Sequence, residues 1–287
     1  MPSALRNRQT GGARNGSSAM PESTPVNPAD PGLEVRTYFV RTRNVLLARA
    51  EFSQLYVDYY LHLSDHSMRP LPEHDAIFKR ALAGFVLHAA SRPWNETIAW
   101  TVNFQDPLLN VFITGDNHDG SVTGRVFDEN VKQLPSSVFY CDVVRDREQK
   151  RRSAVEFSGR DPLVAAEVFY AQSEQRKGRY FQTADEDFAL AVEHPDCDLA
   201  WLNALTTERI EEVDRTEEVA LLERRIFRWH CGCNQQRMLE VLAPVFRTEP
   251  EELFAGDEKL EMRCPRCGAR HLITREMLEA FVAQRPD

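Results

Sequence analysis

The stretch WHCGC, residues 229–233, and the stretch RCPRCGARH, residues 263–271, carry four of the six cysteines in this chain of 287 residues. Thirty residues separate Cys233 from Cys264. A Cys-x-x-Cys turn followed by glycine directs two sulfur atoms at one centre, and Gly268 permits the left-handed backbone that such a turn often needs. Four thiolates that converge in this way suit tetrahedral Zn²⁺. The predicted zinc ligands are Cys231, Cys233, Cys264 and Cys267.

Histidines stand beside both cysteine clusters. His230 and His271 could each replace a sulfur ligand, but four cysteines already complete a tetrahedral site. We therefore expect both histidines to be neighbours of the metal that donate hydrogen bonds around it. His271 is also predicted to belong to a short strand.

The same cysteines could act as a structural zinc site or as a switch. The members of each pair are close neighbours in sequence, so each pair could close into a local disulfide. The Cys-x-Cys ring is short and strained, which makes its disulfide the more easily reduced. Oxidation of both pairs would remove every zinc ligand and a binding free energy of about 10–16 kcal/mol, which is also folding free energy. Spacing alone favours a structural zinc, because zinc ribbons are common and switches are rare.

The fold class predicted from the sequence is α+β, in four segments of different composition. The first is rich in Gly, Ser, Asn and Pro and lacks apolar periodicity, which is typical of a disordered tail. The second alternates strand and helix patterns, the third is acidic, and the fourth holds the clustered cysteines. The predicted segments are a tail at 1–32, an N-terminal sheet-and-helix domain at 33–182, a helical acidic linker at 183–228 and a small zinc-binding domain at 229–287.

Within the second segment, periodicity predicts particular elements. The stretch TIAWTVNF, residues 97–104, alternates as a strand with its apolar residues on one face. Residues 108–127 read as a hairpin around turn residues. Helices are predicted over 51–65 and 74–90, and a further helix begins after Asp161, whose side chain is a suitable N-cap, with Pro162 at the first helical position.

The acidic segment combines charge with apolar residues. Residues 185–223 contain thirteen Asp or Glu and two Arg, together with twelve larger apolar residues. This composition predicts short helices whose like charges repel one another, so that the segment folds only while it is docked on an apolar surface. Trp201 and Trp229 are predicted to anchor this packing.

The last sixty residues are predicted to hold a helix between the cysteine clusters, then a turn over TEPEELF capped by Thr248. Two short strands flank CPRCG, and a terminal helix is capped by Thr274. A core of this size usually needs a metal or a disulfide.

Composition limits the function classes. The formal charge of −9 argues against a non-specific nucleic-acid binder. No apolar run approaches the length of a membrane helix, and no apolar signal region precedes the folded part. We therefore expect a cytoplasmic protein, in which clustered cysteines bind metal or are redox-active. No trusted catalytic motif is present, so no enzyme is predicted; Cys141 is expected to be a buried hydrophobe and Cys197 to be unreactive.

Two motifs carry a resemblance to a known family. A Cys-x-Cys pair, about thirty residues, and a C-terminal Cys-x-x-Cys pair resemble the redox-regulated 33 kDa heat-shock chaperone family, the 33 kDa chaperonins. The stretch VFYAQSEQ, residues 168–175, resembles the family's YF-x-x-SEQ helix. The resemblance covers roughly residues 33–281. The chain departs from the family in NQQR after Cys233, where SRER is common, so it resembles a divergent member.

The resemblance implies a mechanism. With zinc bound, the C-terminal domain folds and the acidic linker docks on the N-terminal sheet. Peroxide or hypochlorite then forms the disulfides Cys231–Cys233 and Cys264–Cys267, zinc leaves and the linker melts. The oxidised protein, a homodimer, holds unfolded client proteins without ATP.

Two other functions stay open at this stage. A structural zinc-ribbon protein could bind nucleic acid or a protein partner without redox switching, supported only by RDREQKRR, residues 145–152, and RCPRCGAR. A thiol oxidoreductase would use Cys264 and Cys267, and the Cys-x-Cys partner makes this the weakest alternative.

Overall fold

The computed structural model describes residues 32–146 and 148–284. The predicted disordered tail therefore lies outside the described residues, except for Gly32. Among the described residues, no helix is both long enough and apolar enough to cross a membrane.

The helices and strands alternate along the chain in an α+β order, as predicted. The strands are β1 (Leu33–Val40), β2 (Val45–Glu51), β3 (Glu96–Gln105), β4 (Leu108–Asp116), β5 (Ser121–Phe127), β6 (Ser137–Arg145), β7 (Arg151–Phe157), β8 (Gly178–Gln182), β9 (Asp187–Glu193), β10 (Val219–Trp229), β11 (Lys259–Arg263) and β12 (Arg270–Thr274). The helices are α1 (Ser53–Asp65), α2 (Pro72–Ala90), α3 (Pro162–Gln172), α4 (Leu199–Asn203), α5 (Thr207–Glu211), α6 (Val213–Thr216), α7 (Gln235–Thr248), α8 (Pro250–Phe254) and α9 (Arg275–Gln284).

One large sheet organises the N-terminal part. Its strand order is β7-β6-β3-β4-β5-β10-β1-β2-β9-β8 within the described residues. Neighbouring strands are antiparallel except β5 and β10, which are parallel and pair only at Arg228 with Ser121 and Trp229 with Val122. Strand β10 thus joins two antiparallel half-sheets through a short contact on one side and a long ladder with β1 on the other.

The main core lies between this sheet and helices α1–α3. On β3 the predicted alternation is confirmed, because Ile98, Trp100, Val102 and Phe104 are all fully buried. Helix α3 begins as predicted: Asp161 accepts a hydrogen bond from the Leu163 amide at 2.9 Å, and Pro162 is its first residue. The predicted hairpin at 108–127 is β4 and β5.

The acidic segment holds the predicted short helices, α4–α6. The prediction of helix is wrong at both ends of the segment. Residues 187–193 form β9 and residues 219–229 form β10, both strands of the large sheet. The run FALAV in β9 is buried throughout, as in a strand covered on both faces. The acidic residues around this run obscured a pattern that is typical of a buried strand.

The charges of the acidic segment have partners on the hairpin that β1 and β2 form. Arg43 contacts Asp198 at 2.8 Å and Glu217 at 3.0 Å, and Arg49 contacts Asp214 at 3.1 Å. The like charges are therefore offset by arginines of the sheet on which α4–α6 lie.

A second apolar cluster lies beneath α4–α6. Trp201 packs half-buried against it, which agrees with its predicted role as an anchor. The buried members of the cluster are Val40, Val45, Leu47, Phe181, Ala189, Ala191, Leu202, Leu205, Ile210 and Val213. The predicted docking on an apolar surface is thus present in the structure.

The C-terminal region has a small core of its own. Its buried residues are Met238, Leu242, Phe254, Ile273 and Leu278. The two predicted strands are β11 and β12, and Thr274 accepts a hydrogen bond from the Met277 amide at 3.3 Å, as expected of a cap. The predicted Thr248 cap is wrong. Thr248 ends α7, where its hydroxyl donates back to the Val245 carbonyl at 3.1 Å, and Glu249 precedes α8.

Candidate metal centre

The four predicted ligands meet at one point. Their sulfur atoms all lie within 4.8 Å of one another. The Sγ atoms of Cys231 and Cys264 are 3.6 Å apart, and those of Cys233 and Cys267 are 3.5 Å apart. A tetrahedron with metal–sulfur distances of about 2.3 Å has edges of about 3.8 Å. The donor set and its spacing therefore fit a zinc ion, while all four cysteines are free thiols at these distances.

The Cys264–Cys267 turn is built by its own backbone. The Gly268 amide donates to the Cys264 carbonyl at 2.9 Å, and the Cys264 amide donates to the Ala269 carbonyl at 2.8 Å. Gly268 has φ +79°, so the left-handed conformation expected from the sequence is confirmed. We call residues 264–268 the knuckle. Cys264 and Cys267 are buried, which holds both sulfurs away from solvent.

The other two cysteines follow directly from β10. Trp229, the last residue of that strand, packs its ring 5.2 Å from the ring of Tyr59 and 6.1 Å from that of Phe78. The His230 amide then donates to the Val122 carbonyl at 2.9 Å. Trp229 thus anchors the exit from the sheet, as predicted, and places Cys231 opposite the knuckle.

The thiols perturb one another when no cation is bound. Hydrogen bonding from the Cys231 thiol lowers the pKa of Cys264, whereas burial raises the pKa of Cys233 to about 12. A divalent ion deprotonates the thiols that it coordinates, so zinc binding at this cluster would release protons.

The predicted histidine neighbours have different positions. His230 is exposed. His271 lies on β12 opposite Met262, which confirms its predicted strand, and its Nε2 atom is buried without a hydrogen-bond partner. The expectation that both histidines donate hydrogen bonds around the metal stays a prediction.

Two residues of the N-terminal part contact the knuckle and were not identified from the sequence. The Nε2 atom of His62, on α1, lies 3.1 Å from the Cys267 carbonyl oxygen. The Nη1 group of Arg125, on β5, donates to the Cys264 carbonyl at 3.3 Å. These contacts span 205 and 139 positions of sequence, so no local spacing pattern could have indicated them.

The remaining two cysteines lie elsewhere. Cys141 is buried on β6, and burial raises its pKa to about 12, as suits the small hydrophobe that was predicted. Cys197 is half-buried at the entry to α4; burial, followed by the charge of Glu193, raises its pKa. The expected low reactivity of Cys197 therefore rests more on burial than on acidic neighbours.

Comparison with known proteins places these features in a family. A family model described as "Hsp33 protein" matches residues 196–274, which include all four clustered cysteines. The 33 kDa chaperonin of Thermosynechococcus vestitus is 34% identical over 64 residues, which are 22% of this chain and 21% of that protein. Residues 196–274 thus match the Hsp33 family. The 33 kDa chaperonin of Caldanaerobacter subterraneus subsp. tengcongensis is 31% identical over 68 residues, 24% of this chain and 23% of that protein.

The Hsp33 fold extends well beyond the cysteines. The crystal structure of the 33 kDa chaperonin from Thermotoga maritima superposes with a TM-score of 0.65 at 15% identity, covering 88% of this chain and 99% of that chain. The sequence matches, by contrast, span about a fifth of the curated relatives' length. The predicted α+β fold is confirmed, the predicted resemblance to the Hsp33 family is supported over residues 196–274, and the relatives are named as chaperonins.

Proposed function

We propose that this protein is a redox-regulated holdase that works without ATP and binds unfolded proteins after its clustered cysteines are oxidised. The observation that carries the proposal is that one strand, β10, connects the acidic helices α4–α6 to the clustered cysteines. Strand β10 begins three residues after α6 and ends two residues before Cys231. The docked acidic helices and the cysteine centre therefore lie at opposite ends of β10.

The cysteines hold the metal and respond to the oxidant. In the reduced protein, Cys231, Cys233, Cys264 and Cys267 would ligate Zn²⁺, which would hold the four thiolates together and stabilise the small C-terminal core. Each disulfide then forms from two of these thiolates, one peroxide and two protons from solvent: one S–S bond forms, the O–O bond breaks, two waters leave, and zinc loses two ligands. The pairs Cys231–Cys233 and Cys264–Cys267 use all four ligands.

Loss of the ligands has a consequence at the other end of β10. The C-terminal region keeps a core of five buried residues, which is small for a region of its length. If β10 loosens, α4–α6 lose the connection that keeps them on the sheet. The apolar face that they cover includes Val40, Leu47 and Phe181, and this face is suited to unfolded chains.

A direct test compares two redox states of the same protein. Reduced, zinc-loaded protein and peroxide-treated protein are each added to chemically unfolded citrate synthase, and aggregation is followed by light scattering without ATP. We expect suppression by the oxidised form and little by the reduced form. Equal behaviour of the two forms, at full thiol oxidation, would rule out a redox-regulated holdase.

Other properties belong to the same proposal. The oxidised form is proposed to be a homodimer in the cytoplasm, and light scattering of each redox state tests the oligomeric state. Nucleic-acid binding is not favoured by the basic stretch at 145–152. Within it, Arg145 pairs with Glu96, and Lys150 and Arg152 pair with Asp142.

A further inference from the structure

The knuckle is held from outside by two side chains of the N-terminal part. Its two cysteine carbonyls each accept a hydrogen bond from that part, Cys267 from His62 and Cys264 from Arg125. The Cys264 carbonyl also accepts the Gly268 amide, so both of its lone pairs are used. These bonds attach the ligand-bearing backbone to α1 and β5.

His62 is prepared for this role by its surroundings. Its ring lies 5.6 Å from the Trp229 ring and 4.8 Å from the His66 ring. The Cys267 carbonyl oxygen can only accept, so the His62 Nε2 atom, 3.1 Å from it, is the hydrogen-bond donor.

Arg125 brings a positive charge to the knuckle. Its guanidinium lies 4.2 Å from the centre of the Phe127 ring, and burial, followed by repulsion from Arg263, lowers its pKa. The nearby Cys264 and Cys267 act in the opposite direction. A divalent ion with four thiolates has a net charge of −2, so a partly buried arginine beside it is stabilised by the metal-bound state.

A cavity of about 280 Å³ lies beside the knuckle and is lined by Tyr59, Met68, Arg125 and Gly268 among others. The two hydrogen bonds are made at the edge of this cavity, where the knuckle backbone has room to move once they are lost.

We propose that His62 and Arg125 are positioning residues that clamp the knuckle on the N-terminal part and set how readily the four-cysteine centre opens. The proposal rests on the proposed function only in assigning oxidation as the natural trigger. Loss of either bond frees the knuckle to rearrange, which speeds both metal loss and disulfide formation. Disulfide formation moves the Cys264 and Cys267 backbone, which in turn releases Arg125 and His62.

The test measures zinc transfer from reduced, zinc-loaded full-length protein to a colorimetric chelator. Arg125→Met removes the charge and the donor, and Arg69→Met is its matched control, because Arg69 lines the same cavity but is exposed. His62→Phe is matched by His118→Phe, because His118 is exposed in the turn between β4 and β5. We expect transfer about tenfold faster for Arg125→Met and about threefold faster for His62→Phe, with both controls within twofold of the wild type.

Two further measurements separate clamping from general destabilisation. Arg125→Lys retains the charge and one donor, so it should recover part of the slow transfer. Thiol loss in peroxide should follow the same order as zinc transfer, while far-UV circular dichroism at 25 °C stays unchanged. Equal rates for Arg125→Met and Arg69→Met, or no recovery with Arg125→Lys, would overturn the proposal.

The outcome is independent of the holdase assay. If oxidised wild type fails to suppress aggregation but the variants still differ in zinc transfer, the clamp stands and the proposed function fails. If suppression occurs but the variants transfer zinc at the wild-type rate, the function stands and the clamp fails.

Discussion

The large sheet and the four-cysteine region reach the folded state by different means. The sheet buries a continuous core with aromatic side chains such as Trp100, Phe104 and Phe139, none of them exposed. The main apolar cluster of the four-cysteine region has five buried members among the described residues. The first region can therefore fold by hydrophobic burial, whereas the second needs a further contribution, which a bound metal would supply.

Helices α4–α6 form an intermediate case. They have five, five and four residues, too short for any of them to be stable alone. Their buried residues Leu202, Ile210 and Val213 share one cluster with residues of the sheet. The helices α4–α6 are therefore expected to fold only while they are docked on the large sheet.

The largest expected effect comes from removing one metal ligand. Cys264→Ser should abolish stoichiometric zinc binding and unfold the four-cysteine region, because the lost contribution is about 10–16 kcal/mol while the local core is small. The sheet should keep its thermal transition. Zinc content and far-UV circular dichroism of the reduced protein are the measurements.

Cys197→Ser is the matched control, because Cys197 lies outside the cluster and is half-buried. It should bind one zinc per chain and retain its helicity. If Cys264→Ser kept the wild-type circular dichroism and protease resistance at 263–284, the C-terminal region would be stable without the metal.

A smaller effect is expected where α4 meets the sheet. Leu202 is fully buried, so Leu202→Ala should weaken docking by about 2–5 kcal/mol and release α4–α6 even in reduced protein. We expect faster amide hydrogen exchange over 199–216 and aggregation suppression without oxidant, with zinc retained. Leu199→Ala, on the same helix at 45% exposure, should change neither quantity. A reduced Leu202→Ala protein as inactive as the Leu199→Ala protein would argue against the acidic helices as the regulating cover.

Sequence reasoning succeeded where the determining pattern is local. The four candidate ligands lie in two short cysteine pairs, and the structure brings all four sulfur atoms within 4.8 Å of one another. The strand at 97–104 was likewise indicated by its own alternation. The start of α3 was also predictable from two adjacent residues, Asp161 and Pro162.

The sequence was less informative where partners are distant. Residues 187–193 were assigned to a helical linker because acidic neighbours dominate their composition, yet the run is covered on both faces by other parts of the chain. His62 and Arg125 carry no motif at all. Only the packing of α1 and β5 against the knuckle gives them a role.

Gly268 offers a finer comparison, with Gly256 as its matched control. Both have positive φ, so replacement by alanine costs each backbone about 1–2 kcal/mol. An added Cβ at Gly268 would lie 2.8 Å from the Met68 sulfur, whereas at Gly256 nothing lies within 4 Å. Gly268→Ala should therefore also speed zinc transfer, and Gly256→Ala should only lower the unfolding temperature. Adding Met68→Ala to Gly268→Ala should return zinc transfer toward the rate of Gly256→Ala. If the two glycine variants transfer zinc equally fast, the Met68 side chain moves aside and the knuckle keeps its position.

The smallest expected effect is a pH dependence confined to α4–α6. The pKa of Asp198 is lowered by the Trp201 amide and then by Arg43, and the pKa of Glu217 is lowered by Arg43. Both carboxylates therefore stabilise docking above their unfolded pKa values, near 3.8 and 4.5, and this contribution is lost as the pH falls further. Because the Arg43 and Asp198 side chains are each about a third exposed, the effect is screened by salt and smaller than that of Leu202→Ala.

Hydrogen exchange over 199–216 in reduced protein should consequently accelerate as the pH falls below about 4.5, more at low ionic strength than at high. Arg43→Met removes the shared partner, so it should raise exchange at pH 7 and flatten this dependence. Arg41→Met is the control, since Arg41 is exposed and its contact with Glu218 is longer, at 3.4 Å. If Arg43→Met shows the same pH dependence of hydrogen exchange as the wild type, the apolar cluster holds these helices without the ion pairs. The acidic residues would then keep the released segment soluble and would not contribute to its docking.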